Sequence, residues 1–290
     1  GGADIVVGRS MYETDSIPEH WRVPALCQVD ELWVPSEFNR RTFEQAGVPA
    51  DRLRILHEPV DVSHFDPAAR VSSRAPILPP CATPRRVDID LGEDDGEDEG
   101  ELDEEGEDER AGEQAGHGFV FLSMFKWEKR KAWDVLLRAF WEEFELGEGV
   151  CLVIRSNMDH NNRKEMEALR GEVEKEKCGS VGGCSLAEVV ILDKPVRYAL
   201  LPLLYREAHA LVLASRGEGW GLPLAEAMAM GLPTIGSNWS GSTEFMDSSN
   251  SFLVPVSLQP IPKDVAEQDT FDAFSDPLLP WYDGRIKARP

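Results

Sequence analysis

The chain has 290 residues, 42% of them hydrophobic, and a formal net charge of −23, which at roughly 100–200 residues per domain leaves room for about two domains with a real core. Sixteen acidic residues and one basic residue between Asp88 and Glu113 carry −15 of that charge, so the rest of the chain carries only −8. No apolar run reaches the roughly 18 residues of a membrane span, no broad basic face suggests nucleic acid, and five unpatterned cysteines without a C-x-x-C indicate neither a zinc site nor a disulfide framework. Cys151, in an apolar run, reads as a buried reduced thiol, and a cytoplasmic or cytosol-facing setting is the default expectation.

In chain order the first element is a strand at Ile5–Val7. It lies so close to Gly1 that the chain reads as an N-terminally truncated fragment. Leu32-Trp33-Val34 is the next strand. Ser36 then caps a helix with Phe38, Thr42 and Ala46 on one face, which Gly47-Val48-Pro49 ends. Leu53–Leu56 is a strand, and a connector runs to Pro67. Residues 67–117, rich first in Pro and Ser and then in Asp, Glu and Gly, cannot bury enough apolar area to offset ordering and are expected to form a disordered acidic insertion. From Gly118 strands and helices alternate. Strands are expected at Phe119–Met124, Val150–Ile154, Val189–Leu192, Leu211–Leu213, Pro233–Ile235 and Phe252–Val254. Helices fall between them at Trp133–Phe144, Asn161–Lys177, Ala199–Ala208, Pro223–Met230 and Ser242–Met246. Unbroken apolar strands alternating with helices mean a parallel sheet covered on both faces, with ligands at the carboxyl ends of its strands. After Val256 periodicity fades into an irregular tail, 257–290.

The most informative stretch is Ser215-Arg216-Gly217-Glu218-Gly219-Trp220-Gly221-Leu222-Pro223-Leu224-Ala225-Glu226. It leaves a buried strand and opens a helix. Its three glycines permit close approach to a ligand and positive φ, and the free N–H groups at a helix start favour anionic or hydroxyl-rich ligands. Glu218 would meet the ligand near the strand end, and Glu226 about two turns down the helix. Upstream, Glu13 and Asp15 follow the first strand and either touch a sugar or cap a turn.

The two glutamates with seven residues between them resemble the E-x7-E signature of retaining GT-B glycosyltransferases, specifically glycosyltransferase family 4. Trp33-Val34-Pro35-Ser36 and Pro59-Val60-Asp61 through Phe65 are similar to the end of that family's first domain. Phe121 to Leu137 resembles the first strand and helix of its donor domain, and Gly236 to Glu244 a later turn. The resemblance implies an α/β, GT-B-like fold. A doubly wound parallel-sheet donor domain (118–256) would follow the C-terminal part of a first, acceptor-side Rossmann-like domain (1–66). It further implies that Glu218 contacts donor-sugar hydroxyls and that the N–H groups of Gly219, Trp220, Gly221 and Leu222 line the sugar and phosphate site. Glu226 would contact the ribose. Lys131, with Lys126 at a position usually held by arginine, would neutralise the diphosphate, Lys129 or Arg130 being alternatives to Lys126. No metal and no separate cofactor is implied: the donor is a nucleotide-diphosphate sugar, and the acceptor is an unidentified hydroxyl on a sugar, lipid or protein glycan. The cleft is expected to be locally basic. The other readings are a non-catalytic nucleotide-sugar-binding module and a sugar-nucleotide epimerase.

Overall fold

The computed structural model describes residues 5–17, 25, 27–68, 78, 118–179, 184–260 and 287–289. The acidic stretch Asp88–Glu113 and most of the 67–117 segment lie outside the described residues.

Two parallel sheets organise the chain. The smaller is formed by β1 (Val7–Arg9), β2 (Glu31–Val34) and β3 (Leu53–Ile55), in that order. The first strand sits two residues later than expected. Between β2 and β3 runs α1 (Glu37–Gln45), capped by Ser36, whose hydroxyl accepts from the Asn39 N–H. Gly47 follows the helix at φ 98°, a left-handed turn that glycine makes without steric cost. The buried face of α1 is Asn39, Thr42 and Phe43, not the expected Phe38, Thr42 and Ala46. The stripe is rotated because Asn39, although polar, is held inside by hydrogen bonds described below.

The larger sheet contains β4 (Phe119–Met124), β5 (Val150–Arg155), β6 (Glu188–Leu192), β7 (Ala210–Leu213), β8 (Thr234–Ser237) and β9 (Phe252–Val254). Its spatial order is β6-β5-β4-β7-β8-β9, parallel throughout. In β5, Cys151, Leu152, Val153 and Ile154 are all fully buried. Neighbouring strand residues point to opposite faces, so both faces are covered. The covering helices are α2 (Trp133–Glu143), α3 (His160–Cys178), α4 (Leu201–Glu207) and α5 (Leu222–Ala229). From β4 the chain winds outward through β5 and β6, then returns past β4 to β7 and winds the other way. The crevice between the carboxyl ends of β4 and β7 is therefore the topological switch point, where doubly wound sheets bind ligands.

Phe65, from the connector after the small sheet, is buried within the core of the large one. The tail contributes β10 (Ser257–Pro260) and β11 (Lys287–Arg289), paired antiparallel; a partner that distant leaves no local periodicity to read. Cysteine chemistry also departs from expectation. Cys178 and Cys184 form a disulfide, and Cys151, although fully buried, is itself disulfide-bonded. The Cys178 and Cys184 Cα atoms lie 5.3 Å apart, within ordinary bridging reach. No helix among the described residues is long and apolar enough to cross a membrane.

Candidate active site at the switch point

The loops leaving β4 and β7 are stapled together. After β4 the chain makes a tight turn at Lys129–Lys131 that ends on Ala132, buried and left-handed at φ 50°. This turn presents Arg130 and Lys131 to the second loop. The Arg216 N–H donates to the Arg130 carbonyl at 2.7 Å. The Arg130 guanidinium donates to the Gly217 carbonyl at 2.8 Å. Arg216 returns across the gap, donating to both oxygens of Asp134 on α2 at 3.0 and 3.1 Å. A two-pronged guanidinium–carboxylate pair fixes orientation as well as distance.

Glu218 sits at the centre. Its carboxylate accepts two bonds from the Lys131 ammonium, at 2.7 and 2.8 Å, and Arg130 stands 3.7 Å away. Burial alone would raise its pKa, but the charges of Lys131 and Arg130 reverse that and hold it below the ordinary range. Glu218 is thus a buried anion. Its backbone is pinned from β8's far end: its N–H donates to the Ser240 hydroxyl at 2.8 Å, and its carbonyl accepts from the Gly241 N–H at 2.9 Å.

The three glycines of the loop have different jobs. Only Gly221 takes positive φ, at 98°, and α5 starts immediately after it. A Cβ on Gly217 would lie 2.4 Å from the Glu13 carbonyl oxygen, and one on Gly219 would lie 2.4 Å from the Met11 sulfur. The closely approaching partner at both is the segment after β1, not open cleft. Glu226 lies four residues beyond Leu222, the first residue of α5, about 6 Å along the axis, so just over one turn down the helix rather than two. Among the described residues the N–H groups of Gly219, Trp220, Gly221 and Leu222 donate to no backbone carbonyl. The Trp220 side chain is buried, stacked with His57 at 5.4 Å and tilted against Phe245 at 4.9 Å.

Of the basic residues, the structure brings Lys131 and Arg130 to Glu218 but not Lys126. The Lys126 ammonium is mostly exposed and pairs with Glu128 at 2.8 Å, while Glu128 also faces Arg130 at 3.4 Å. Lys129 turns outward over the Trp133 ring, 4.0 Å from its centroid. Glu13 reaches the cluster from the small-sheet side, 3.6 Å from Arg130. Its burial and the nearby Glu218 outweigh Arg130 and Lys131 and leave its pKa raised. The expected basic cleft is at Glu218 a balanced one: Lys131 and Arg130 are matched by Glu218 and Glu13. Acids from distant segments converge there, and local sequence could not reveal that.

Glu226 has a different setting. It is half-buried on α5 and accepts a 2.5 Å hydrogen bond from the Tyr205 hydroxyl on α4. Burial raises its pKa, against the opposing pulls of Tyr205 and His64.

Several residues that sequence reasoning passed over join the two sheets at this place. Asn39 accepts from the Tyr12 N–H at 2.6 Å, and its amide meets the Ser36 hydroxyl at 3.1 Å and the Gly219 carbonyl at 3.5 Å. Glu244 accepts from the Glu37 N–H at 2.8 Å and meets His57 Nε2 at 3.2 Å. Phe38 packs edge-on against Trp239 at 5.1 Å. A cap motif flagged Ser36 and the family resemblance flagged the turn that holds Ser240 and Gly241, but nothing local marks Asn39 or Tyr205 as parts of a site.

Fold and site define a GT-B-type protein: two parallel-sheet units meeting at a crevice whose larger wall is a doubly wound sheet. A family-level match to Glycosyl transferases group 1 spans residues 116–267, just over half the chain, and the chain belongs to that family. No curated protein matches it at the sequence level. Solved structures share the fold. The Anabaena protein Alr3699/HepE, crystallised with UDP and glucose, is 15% identical with a TM-score of 0.56, over 93% of this chain and 62% of its own. A glycosyltransferase from Rickettsia africae is 15% identical with a TM-score of 0.54, over 93% of this chain and 60% of its own. An alpha,alpha-trehalose-phosphate synthase (UDP-forming) from Burkholderia vietnamiensis is 13% identical with a TM-score of 0.53, over 85% and 51%. The chain thus spans between half and two thirds of the length of these structures.

Proposed function

We propose that the chain carries the donor site of a retaining, metal-independent glycosyltransferase that moves a sugar from a nucleotide-diphosphate donor to a hydroxyl acceptor. The observation that carries this reading is the buried Lys131–Glu218 pair, backed by Arg130, at the switch point of a family-116–267 domain. Glu218 is an ionised acceptor suited to sugar hydroxyls. Lys131 and Arg130 are the cations that would meet the diphosphate, together with N–H groups at the start of α5 that, among the described residues, donate to no backbone carbonyl. In the transfer, the bond from the anomeric carbon to the diphosphate oxygen breaks and its electrons stay on the diphosphate. A bond forms from the same carbon to the acceptor oxygen, and the acceptor proton passes to the departing diphosphate. Charge grows on the leaving group, so fixed cations help most in the transition state. Structures with UDP bound in the same fold, such as Anabaena HepE, support a nucleotide donor.

The test is calorimetry and turnover with a panel of nucleotide sugars, on the chain as it stands and on Glu218→Ala. Donor binding with release of free nucleotide, lost in Glu218→Ala, is the expected result. Unchanged rates in Glu218→Ala remove Glu218 from the site. Binding without turnover favours the non-catalytic module, and no binding rejects both. Product anomers read by NMR test retention, and activity in excess EDTA tests metal independence.

A further inference from the structure

The two sheets also meet at Glu244, the last residue of the short helical turn Ser240–Glu244 that follows β8. Its side chain is mostly buried, and both its oxygens are taken by the small-sheet side. Oε2 accepts from the Glu37 N–H at 2.8 Å, and Oε1 meets His57 Nε2 at 3.2 Å. Glu37 opens α1, where N–H groups have no partner within the helix and the helix dipole favours a carboxylate. His57 lies just past β3. One carboxylate thus grips the small sheet at two separate elements. The opposite end of the same turn holds Glu218, through the Ser240 hydroxyl at 2.8 Å and the Gly241 N–H at 2.9 Å. There is little slack between the two ends. The Thr243 hydroxyl donates to the Ser240 carbonyl at 2.7 Å, and the Met246 N–H to the Ser242 carbonyl at 3.0 Å.

We infer that Glu244 is a positioning residue: it clamps the small sheet to the turn Ser240–Glu244 and, through that turn, sets where the Glu218 carboxylate lies against Lys131 and Arg130. The clamp itself concerns only the chain's own residues; its effect on turnover rests on the proposed donor role of Glu218. Without the Glu244 carboxylate, the Glu37 N–H loses its acceptor and the turn loses its hold on the small sheet. Displacement at that end is carried to Ser240 and Gly241, because the turn is internally bonded. The Lys131–Glu218 bonds of 2.7 and 2.8 Å would not survive a shift of about 1 Å, which takes a donor and acceptor out of hydrogen-bonding range. Glu218 would then feel its burial more and its cation less, and its pKa would rise. The charged groups facing Glu218 are Lys131, Arg130 and Glu13, and the clamp touches none of them directly.

The experiment is a carboxyl-resonance titration of Glu218 in the full chain, for wild type, Glu244→Ala, Glu244→Gln and His57→Phe. Thermal melts show which variants are folded, and turnover is followed with the panel of nucleotide sugars. Glutamine keeps an acceptor for the Glu37 N–H, and phenylalanine keeps a ring over Trp220. Glu244→Ala should raise the Glu218 midpoint by about one pH unit, and Glu244→Gln should restore most of the wild-type value. His57→Phe should move the midpoint less, and added to Glu244→Ala it should move it no further. In turnover, Glu244→Ala should lower kcat about tenfold with little change in KM. A folded Glu244→Ala with the wild-type Glu218 midpoint overturns the assignment, as does failure of Glu244→Gln to rescue it. If Glu244→Ala does not fold, Glu244→Asp, whose carboxylate falls one methylene short of both partners, is read in its place. A wild type that turns over no donor overturns the transferase reading alone; the Glu218 midpoint still decides the role of Glu244.

Discussion

The loop holding Glu218 and the helix holding Glu226 belong to one motif, yet they place the same side chain in opposite electrostatic settings. Glu218 is buried, clasped by an ammonium and held below its ordinary pKa. Glu226 is half-buried, held by a neutral phenol and raised above it. Burial pushes both upward; only the partner differs. A full positive charge outweighs desolvation, and a hydroxyl donor does not. The pair is thereby divided into a permanent anion beside the cations and a softer acceptor farther along the helix.

The sharpest way to break this contrast is to remove the ammonium. Lys131→Met leaves buried Glu218 with Arg130, 3.7 Å away, as its remaining cation and should cost about 3 kcal/mol of stability, read by denaturant melts. Lys131→Met combined with Glu218→Gln should recover most of that loss, whereas adding Glu226→Gln should recover none. Next in size is the backbone clamp. A Cβ on Gly241 would sit 2.0 Å from the Gly219 carbonyl oxygen, backbone against backbone. Gly241→Ala should therefore cost about 1–3 kcal/mol and displace Glu218, while the Tyr205–Glu226 bond persists; the Glu218 and Glu226 carboxyl resonances report the two ends separately.

The two acids should also respond to pH with opposite signs. For Glu218 the folded pKa lies below the ordinary 4.5, so the unfolded chain binds more protons in that window. The stability it contributes is complete above 4.5 and is lost as pH falls through the folded value. For Glu226 the folded pKa lies above 4.5, and stability is lost as pH rises through the folded value. Urea midpoints against pH should therefore diverge for Glu218→Gln and Glu226→Gln; parallel curves would erase the contrast. The smallest expected effect is at Ala132, whose left-handed φ of 50° costs an alanine about 1–2 kcal/mol. Ala132→Gly relieves that strain but frees the unfolded chain, for a net gain of up to about 1 kcal/mol in a thermal melt.

The sequence by itself determined the alternation of apolar strands and amphipathic helices from Phe119 to Val254, because period and apolar runs are local properties. It also marked Glu218, in a glycine-rich loop at a strand end, as a candidate, and the family resemblance added Lys131 and Arg130. Tertiary structure alone decided what those residues meet. Glu13 and Met11 close on the glycine loop from more than 200 positions away, turning a loop that looked open to ligand into a packed one. Lys126 turns to Glu128, and Tyr205 reaches Glu226 across two helices. The cysteines likewise paired by proximity rather than by motif. Charge balance and pKa depend on distances of a few ångströms between segments remote in sequence, and no local pattern encodes them. The net charge of −23 therefore said little about a site in which Lys131 and Arg130 face Glu218 and Glu13.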